Sequence, residues 1–248
     1  MTRKISAFGT LTGPNADPTA DYIPIIDASV ADASKNKRII LDELKTALGL
    51  QGRPPTTSLF SFTANGTGVT QSSTYDAGRG LSMARTDSGA AANRNAFLGK
   101  AVPGSTPWTA TAKILVAPTV FASTIVVGGM AIFNSSSNKL ITFGVQNLNG
   151  VVKLVASSFT DLNTFSADIL ATQIVPLTVP SWMRISDDGT TYTFQFSHDH
   201  GVTWFTFTTA THASFFTADK VGVVLSTGTV FTLKPTILVQ HYDDPDFP

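Results

Sequence analysis

Apolar and polar side chains alternate along several stretches of this chain after residue 59. The alternation is clear in residues 108–116, 191–197 and 204–208, and no segment in this part combines a helical period with helix caps. Successive side chains of a β-strand point to opposite faces of a sheet, so strands of this kind bury one face and expose the other. The pattern therefore predicts an all-β domain with no helical crossover and no parallel sheet.

The turn residues agree with this prediction. Asn149-Gly150 and Asp188-Gly189 each separate two strand-like runs, and both dipeptides supply the positive φ angles that tight hairpins need. Pro235 interrupts the last apolar run, which predicts an edge strand or a bulge at that point. Roughly a dozen short strands with turns at this spacing predict a β-sandwich or a β-barrel.

The first 50 residues have a different character. They read as a strand, a loop, a second strand and one short helix, in which Leu41, Leu44 and Leu48 share a face and Gly49 stands at the C-cap position. So small a unit buries too little apolar surface to fold alone. It is either a strap on the larger domain or an arm that folds against a neighbour.

A Gly- and Pro-containing segment at residues 51–57 favours the arm, because it reads as a linker. We therefore predict three parts. An N-terminal arm covers residues 1–50, the linker covers 51–57, and a β-sandwich domain covers 58–248.

The composition removes several classes of function. Lys and Arg total 17 and Asp and Glu total 17, so charge gives no reason to expect nucleic acid or an anionic membrane as a partner. The absence of cysteine excludes disulfides, thiol nucleophiles and thiolate metal sites. The basic start is followed by too short an apolar run for a signal peptide, and no stretch is long enough to insert into a membrane. We expect a protein made in a cytoplasm, with no cofactor.

One local motif has the spacing S-x-D-x-G-x-T-W. Ser197, Asp199, Gly201, Thr203 and Trp204 form it, and it resembles the Asp-box of sialidases and related β proteins. In a hairpin turn the Asp side chain can accept backbone N–H groups, the Gly can take the left-handed conformation, and the Trp can fold back over the turn. The motif occurs once, without a repeat of about 40 to 50 residues, which argues against a propeller. We interpret it as structural.

The histidines do not predict a metal site. His198 and His200 flank Asp199, and residues two apart on one strand would point the same way, as a two-His site needs. The pair lies in the turn instead, without a third ligand nearby in the sequence. His212 and His241 are isolated and belong to no motif.

The order of the strand-like segments resembles the concanavalin A-like lectin/glucanase superfamily. This resemblance implies an antiparallel jelly-roll sandwich. The segments that carry it are residues 107–114, 128–133, 139–145, 180–189, 220–225 and 237–244.

Glycosidases on such sandwiches use two closely placed carboxylates, typically glutamates. Glu43 is the only glutamate, and it lies outside the sandwich. The pairs Asp187-Asp188 and Asp243-Asp244 read as a hairpin turn and a C-terminal tail, and adjacent residues of a strand point to opposite faces. We therefore expect no catalysis and no catalytic residues.

The N-terminal segment resembles those of tailed-phage fibre and other virion proteins. The matching stretches are Leu11-Thr12-Gly13, residues 23–27 and residues 37–44. In such proteins this segment commonly anchors a trimer to the particle. The resemblance implies a homotrimer in the virion, bound to other virion proteins through residues 1–50.

Three functions are compatible with these features. The first is a tail fibre or adhesin whose sandwich contacts the host surface, with a host polysaccharide as the expected ligand. The second is a capsid decoration or head-fibre protein whose sandwich packs only against other subunits. The third is a polysaccharide-degrading glycosidase, which the solitary Glu43 argues against.

Ligand contacts are expected from aromatic faces on sandwich loops or on a concave sheet. The candidates are Trp204, Trp182, Tyr192 and Tyr242, although an aromatic residue in an alternating strand is more often part of the core, as we expect for Trp108. A further candidate surface is a Gly- and Ala-rich stretch between Arg85 and Arg94, which reads as an exposed loop or a plain connection.

Overall fold

The chain divides into two compact units, residues 1–51 and residues 52–248. In the first unit, β1 (Tyr22–Ile26) pairs with β2 (Asn36–Ile40) in an antiparallel two-stranded sheet. The predicted helix at residues 41–48 lies outside the described residues. The computed structural model describes the backbone of 22–26 and 36–40 and, in the second unit, residues 54–76, 78–86, 94–117, 125–148, 150–173, 179–228 and 234–245.

The second unit contains two seven-stranded antiparallel sheets, which confirms the predicted all-β sandwich. Sheet I has the order β11-β10-β9-β8-β15-β6-β3, and sheet II has the order β14-β13-β12-β7-β16-β5-β4. Within the described part, no helix is long and apolar enough to span a membrane. The strands are β3 (Phe62–Asn65), β4 (Gln71–Asp76), β5 (Gly80–Arg85), β6 (Arg94–Ala101), β7 (Trp108–Ala117), β8 (Ile125–Asn134), β9 (Lys139–Leu148), β10 (Val151–Phe159), β11 (Phe165–Gln173), β12 (Trp182–Asp187), β13 (Thr191–Ser197), β14 (Phe205–Thr211), β15 (Lys220–Thr227) and β16 (Thr236–Asp243).

The core lies between the two sheets and follows the alternation of the sequence. In β7, the buried positions Trp108, Ala110, Ala112 and Ile114 are at most 3% exposed. Aromatic rings join the sheets: the ring centroid of Phe143 in sheet I lies 5.6 Å from Phe194 and 5.8 Å from Phe207 in sheet II. Burial of this apolar surface is the main favourable contribution to the sandwich.

A second apolar cluster lies on the other face of sheet I, because its residues alternate with those of the core along the strands. Phe133 packs against Phe97 and Phe62, with ring centroids 5.5 Å and 5.6 Å away. Neither Phe133 nor Phe97 is more than 1% exposed. The outer face of sheet I is therefore apolar and buried at this cluster, in contrast to the outer face of sheet II described below.

The two predicted hairpins differ in their turns. Leu148 pairs with Val151, and Gly150 has a φ of +81°, as a two-residue hairpin requires. In the other turn only Gly189 has a positive φ, of +98°. The positive φ expected of Asp188 is wrong, because its carboxylate instead accepts the N–H groups of the two residues after Gly189.

The expectation that Pro235 marks an edge strand or a bulge is wrong. Pro235 lies immediately before β16, which pairs with β7 on one side and β5 on the other and is therefore an inner strand. A proline costs no ladder hydrogen bond when it precedes the first strand residue. The irregularity of β16 occurs further along, between Val239 and His241.

Arg85, one end of the Gly- and Ala-rich stretch, is a buried strand residue. It is the last residue of β5, it is only 1% exposed, and it alternates in register with the buried Leu81 and Met83. Strand parity therefore directs its side chain to the inner face. Arg94 begins β6, and residues 87–93 lie outside the described part of the chain.

Candidate functional site

The outer face of sheet II is polar and partly exposed to solvent. Strand register arranges its side chains in three parallel rows that run across the strands, and we call this surface the sheet II outer face. The central row is Thr206, Gln195, Arg184, Thr111 and Asp243; one flanking row is Ser197, Trp182, Lys113 and His241; the other is Thr209, Thr193, Ser186 and Thr109.

Hydrogen bonds connect neighbouring side chains within the rows. The amide of Gln195 donates to Thr206 Oγ1 at 3.3 Å, and Arg184 Nε donates to Thr111 Oγ1 at 3.5 Å. In the flanking row, Thr109 Oγ1 donates to Ser186 Oγ at 3.1 Å. Hydroxyl and amide groups both donate and accept, so this face offers a dense array of hydrogen-bonding groups of the kind that sugar hydroxyls can pair with.

The turn after β13 is held by side-chain oxygen atoms, and we call it the Asp-box turn (residues 197–204). Ser197 Oγ donates to Asp199 Oδ1 at 2.7 Å and accepts the N–H of Gly201 at 3.0 Å. Asp199 Oδ1 accepts the N–H of Thr203 at 2.8 Å. The Thr203 N–H and then the Ser197 hydroxyl lower the pKa of Asp199 to about 2. These bonds satisfy backbone donors that have no strand partner.

The Asp-box turn folds onto the sheet II outer face. Gly201 adopts a φ of +82°, and a Cβ at this position would lie 3.2 Å from Trp204 Cζ2 and 3.8 Å from Trp182 Cε3. Trp182 is consequently only 6% exposed, although its strand position directs it outward. Its ring also contacts that of His241, with centroids 5.0 Å apart. Trp182 therefore forms the floor beneath the turn.

Trp204 forms a half-buried shelf beside the central row. The Arg184 guanidinium carbon lies 3.8 Å from the centroid of the Trp204 ring, which is the geometry of a cation–π contact. Burial lowers the pKa of Arg184. Among the described residues no carboxylate forms an ion pair with Arg184 or with Lys113.

Two of the four predicted ligand contacts lie in the core. Tyr192 is fully buried, accepts the N–H of Ala218 at 2.7 Å, and has its pKa raised to about 12 by burial. Tyr242 is fully buried against Phe60, at a ring distance of 5.0 Å, and burial raises its pKa well above the usual range. Both face the opposite sheet and are inaccessible to a ligand at the surface, whereas Trp204 is half-buried beside Arg184 on the outer side of sheet II.

The expectation that His212 is isolated is wrong. His212 Nε2 lies 2.9 Å from Asp187 Oδ1, and its ring stacks on Tyr192 with centroids 4.3 Å apart. Asp187 Oδ1 also accepts the N–H of Gly189 at 2.8 Å. The contact joins the end of β12 to the 3₁₀ turn after β14, so it holds the chain in place at this end of sheet II.

Of the aspartate pairs Asp187-Asp188 and Asp243-Asp244, only Asp243 lies in the three rows of the sheet II outer face. Asp187 is 5% exposed and directed inward, whereas Asp188 lies in the turn. Asp244 was expected in the tail, but it is buried and lies 2.9 Å from Lys100 of sheet I. In the three rows Asp243 is the only carboxylate. No group of three His, Cys, Asp or Glu residues in the described ranges could hold a metal ion.

Several solved structures share this architecture. A functionally unknown protein from Saccharomyces cerevisiae aligns with a TM-score of 0.51 and 16% identity, over 71% of this chain and 95% of that one. The CBM2 module of the evolved Dit of Lactobacillus casei BL23 phage J-1 aligns at 0.43 and 9%, over 74% and 88%. A xylan β-1,4-xylosidase from Bacillus halodurans C-125 aligns at 0.41 and 12%, over 71% of this chain but only 32% of that enzyme.

The fold is an antiparallel β-sandwich of two seven-stranded sheets, as the sequence predicted. At identities this low, the structural likeness shows the fold alone. No protein-family model matches the sequence, and no curated protein matches it. The chain spans about a third of the length of the xylosidase, so that enzyme's activity belongs to a much larger protein.

Proposed function

We propose that this chain is a non-enzymatic virion protein of a tailed phage whose sandwich binds carbohydrate of the host surface through the sheet II outer face. The observation that carries the proposal is the three-row arrangement of hydroxyl, amide and guanidinium groups beside the Trp204 shelf. Sugars are bound by polar groups that pair with their hydroxyls and by aromatic or planar faces that cover their apolar side.

The same face argues for binding rather than hydrolysis. Glycoside hydrolysis requires two carboxyl groups, about 5 to 5.5 Å apart in retaining enzymes and about 6.5 to 9.5 Å apart in inverting enzymes. Asp243 is the only carboxylate in the three rows, at the end of the central row. A face with one carboxylate can orient a sugar but lacks the second group that the chemistry needs.

The part of the proposal that places the protein on a virion rests on the N-terminal unit. Its Leu-Thr-Gly, Ile-Pro-Ile-Ile-Asp and Lys-Arg-Ile-Ile-Leu-Asp-Glu-Leu segments are similar to the N-terminal segments of tailed-phage fibre and other virion proteins. On this proposal residues 1–50 bind other virion proteins, the chain is a homotrimer, and the sandwich faces outward. A capsid decoration protein that packs only against other subunits is the alternative, and it needs no sugar-binding face.

A glycan array with the full chain tests the binding directly. We expect binding to bacterial surface polysaccharides, and we expect Thr111→Ala combined with Gln195→Ala to weaken it about tenfold or more, since each lost hydrogen bond is worth about 1 kcal/mol. Thr172→Ala is the matched control, because this exposed threonine lies on β11 of sheet I. Absence of any bound glycan, or equal binding by all three proteins, would contradict the proposal.

A reducing-sugar assay on each bound polysaccharide separates binding from hydrolysis. We expect no release of reducing ends over several hours at a protein concentration typical of glycosidase assays. Release that disappears in an Asp243→Asn variant would instead identify a glycosidase.

Labelling the protein on the assembled particle distinguishes the adhesin from the decoration protein. We expect the label at exposed fibre tips. In solution, the isolated protein should have the mass of three chains. A label spread over the capsid lattice would favour the decoration function.

A further inference from the structure

The two cationic side chains of the sheet II outer face, Arg184 and Lys113, indicate the charge of the ligand. We propose that the glycan bound there is acidic, with its carboxylate or sulfate groups contacting Arg184 and Lys113. This inference rests on the proposed function and specifies its ligand class.

Arg184 is a half-buried cation that forms no ion pair with a carboxylate of the described residues. Its guanidinium is stacked on Trp204 at 3.8 Å, and its only hydrogen-bond partner in the described part of the chain is the neutral hydroxyl of Thr111. Removing a cation from water without an opposite charge is costly. The contact with Trp204 and the hydrogen bond to Thr111 hold the guanidinium at this place, and its remaining N–H groups can donate to both oxygen atoms of a carboxylate or sulfate.

Lys113 lies close enough to act on the same ligand. It pairs in register with Trp182, two residues from Arg184 on the neighbouring strand. Diagonal neighbours of this kind on adjacent antiparallel strands are about 7 to 8 Å apart. A negatively charged sugar residue placed between the two side chains would therefore contact both cations.

The carboxylates nearest to these cations form no ion pair with them. Asp243 ends the central row two strands from Arg184, about 9 to 10 Å away, and is a diagonal neighbour of Lys113, about 7 to 8 Å away. Asp199 of the adjoining Asp-box turn is hydrogen-bonded to Ser197 and Thr203, and neither Asp199 nor Asp243 forms an ion pair with Arg184 or Lys113. His241 is 6% exposed, and its ring contacts that of Trp182 at a tilt of 47°, so it contributes to the floor. The polar surface of the three rows thus has two unpaired cations and one carboxylate.

Binding of paired probes tests the inference. The full chain is titrated with oligogalacturonate and with its methyl ester of the same length, and with dextran sulfate and plain dextran, at about 50 mM and 500 mM NaCl. We expect at least one acidic probe to bind tenfold or more tightly than its neutral match, with a difference that shrinks at high salt. The two pairs distinguish a carboxylate ligand from a sulfate ligand.

Three single variants locate the effect. Arg184→Gln and Lys113→Gln should each remove most of the preference for the acidic probe, whereas Lys139→Gln changes the net charge equally at an exposed position of β9 and should leave it intact. Thermal unfolding checks the fold of Arg184→Gln, and Arg184→Lys, which retains the charge, should keep part of the preference.

The outcomes separate this inference from the function on which it rests. Equal binding of acidic and neutral probes, or an array whose positive glycans are all neutral, overturns the acidic ligand but leaves carbohydrate binding in place. An acidic preference that survives both Arg184→Gln and Lys113→Gln also overturns it. An array with no positive glycan contradicts the proposed function as well.

Discussion

At the residue scale, the Asp-box turn shows how two short polar side chains replace a strand partner. Ser197 and Asp199 together accept the backbone N–H groups of Gly201 and Thr203. His200 and Gly201 both have positive φ angles, of 61° and 82°. The left-handed conformation is strained for most residues, and a glycine avoids this strain at position 201, where a Cβ would also lie 3.2 Å from Trp204 Cζ2.

The first prediction concerns Gly201. Gly201→Ala should lower the free energy of unfolding by about 1 to 2 kcal/mol, because an alanine is strained at this φ, and further because its Cβ would crowd Trp204. Gly150→Ala is a matched control, since its φ of +81° is nearly the same and nothing lies within 4 Å of an added Cβ. Urea unfolding should show the larger loss for Gly201→Ala, and equal losses would mean that the Trp204 contact is unimportant.

The second prediction concerns the pH dependence of stability. The pKa of Asp199 is about 2 in the folded protein, below its ordinary value, so the charged form stabilises the fold above about pH 4. This contribution is lost as the pH falls from about 4 towards 2. The difference in melting temperature between the wild type and Asp199→Asn should therefore be constant near neutral pH and shrink over that acidic range.

Comparing the wild type with Asp199→Asn cancels the contributions of the other carboxyl groups to the pH dependence. The pKa values of Asp161 and Asp188 are also lowered, by backbone and side-chain hydrogen bonds, but both residues are present in the two proteins. A difference between the wild type and Asp199→Asn that does not vary from pH 7 to pH 2 would contradict the proposed role of the Asp199 carboxylate.

The local motif was readable from the sequence, but the contact of Arg184 with Trp204 was not. Ser197 and Asp199 are two residues apart, so spacing alone suggested the hydrogen bonds within the turn. Arg184 lies on β12, and it meets Trp204 only because the Asp-box turn folds back over the sheet. A cation–π contact between such distant positions has no signature in a single sequence.

At the element scale, the alternation of side chains along the strands predicted most of the buried positions. The errors arose at residues for which this alternation was not used. The pattern of Leu81 and Met83 already places Arg85 on the inner face, yet the Gly- and Ala-rich residues that follow it suggested the end of a loop or a plain connection. Tyr192 and Tyr242 were considered as ligand contacts for their chemistry, although the alternation of their strands makes them inward-facing. Parity was the better guide in these cases.

The third prediction concerns the ion pair that joins the two sheets. Lys100 of β6 and Asp244, just after β16, are 2.9 Å apart, with exposed side-chain fractions of 12% and 0%. Asp244→Asn removes the charge from a buried pair while keeping its shape, and we expect a loss of about 3 kcal/mol in the free energy of unfolding. Guanidinium unfolding followed by tryptophan fluorescence measures it.

An exposed ion pair provides the control. Arg79 and Asp76 have exposed side-chain fractions of 80% and 61% at a distance of 3.7 Å. Asp76→Asn should change the free energy of unfolding by no more than about 0.5 kcal/mol. Similar losses for the two variants would show that the buried ion pair of Lys100 and Asp244 contributes no more to the free energy of unfolding than the exposed pair.

At the scale of the whole molecule, the two outer faces of the sandwich differ in character. The outer face of sheet I has a buried aromatic cluster around Phe97 and Phe133, whereas the outer face of sheet II has rows of hydroxyl and amide side chains. The sequence predicted a sandwich, because alternation and turns are local signals. It could not predict which face is polar across several strands, since that depends on strand order and register.

The sandwich fold and the proposed attachment to a virion rest on different observations. Strand pairing establishes the fold directly, whereas attachment to a particle rests on the similarity of three short segments in residues 1–50. The sugar-binding proposal rests on neither, because it follows from the composition of the sheet II outer face. It can therefore be tested on the isolated protein before any particle is examined.

Acrylamide quenching of tryptophan fluorescence is the most direct test of the central claim. Trp204 is the only half-buried tryptophan, since Trp108 and Trp182 are 3% and 6% exposed. Addition of the glycan with the strongest array signal should therefore protect the accessible part of the emission, and Trp204→Phe should lack that part from the start. A glycan that binds the full chain yet leaves the quenching of Trp204 unchanged would show that the sheet II outer face is not the binding site.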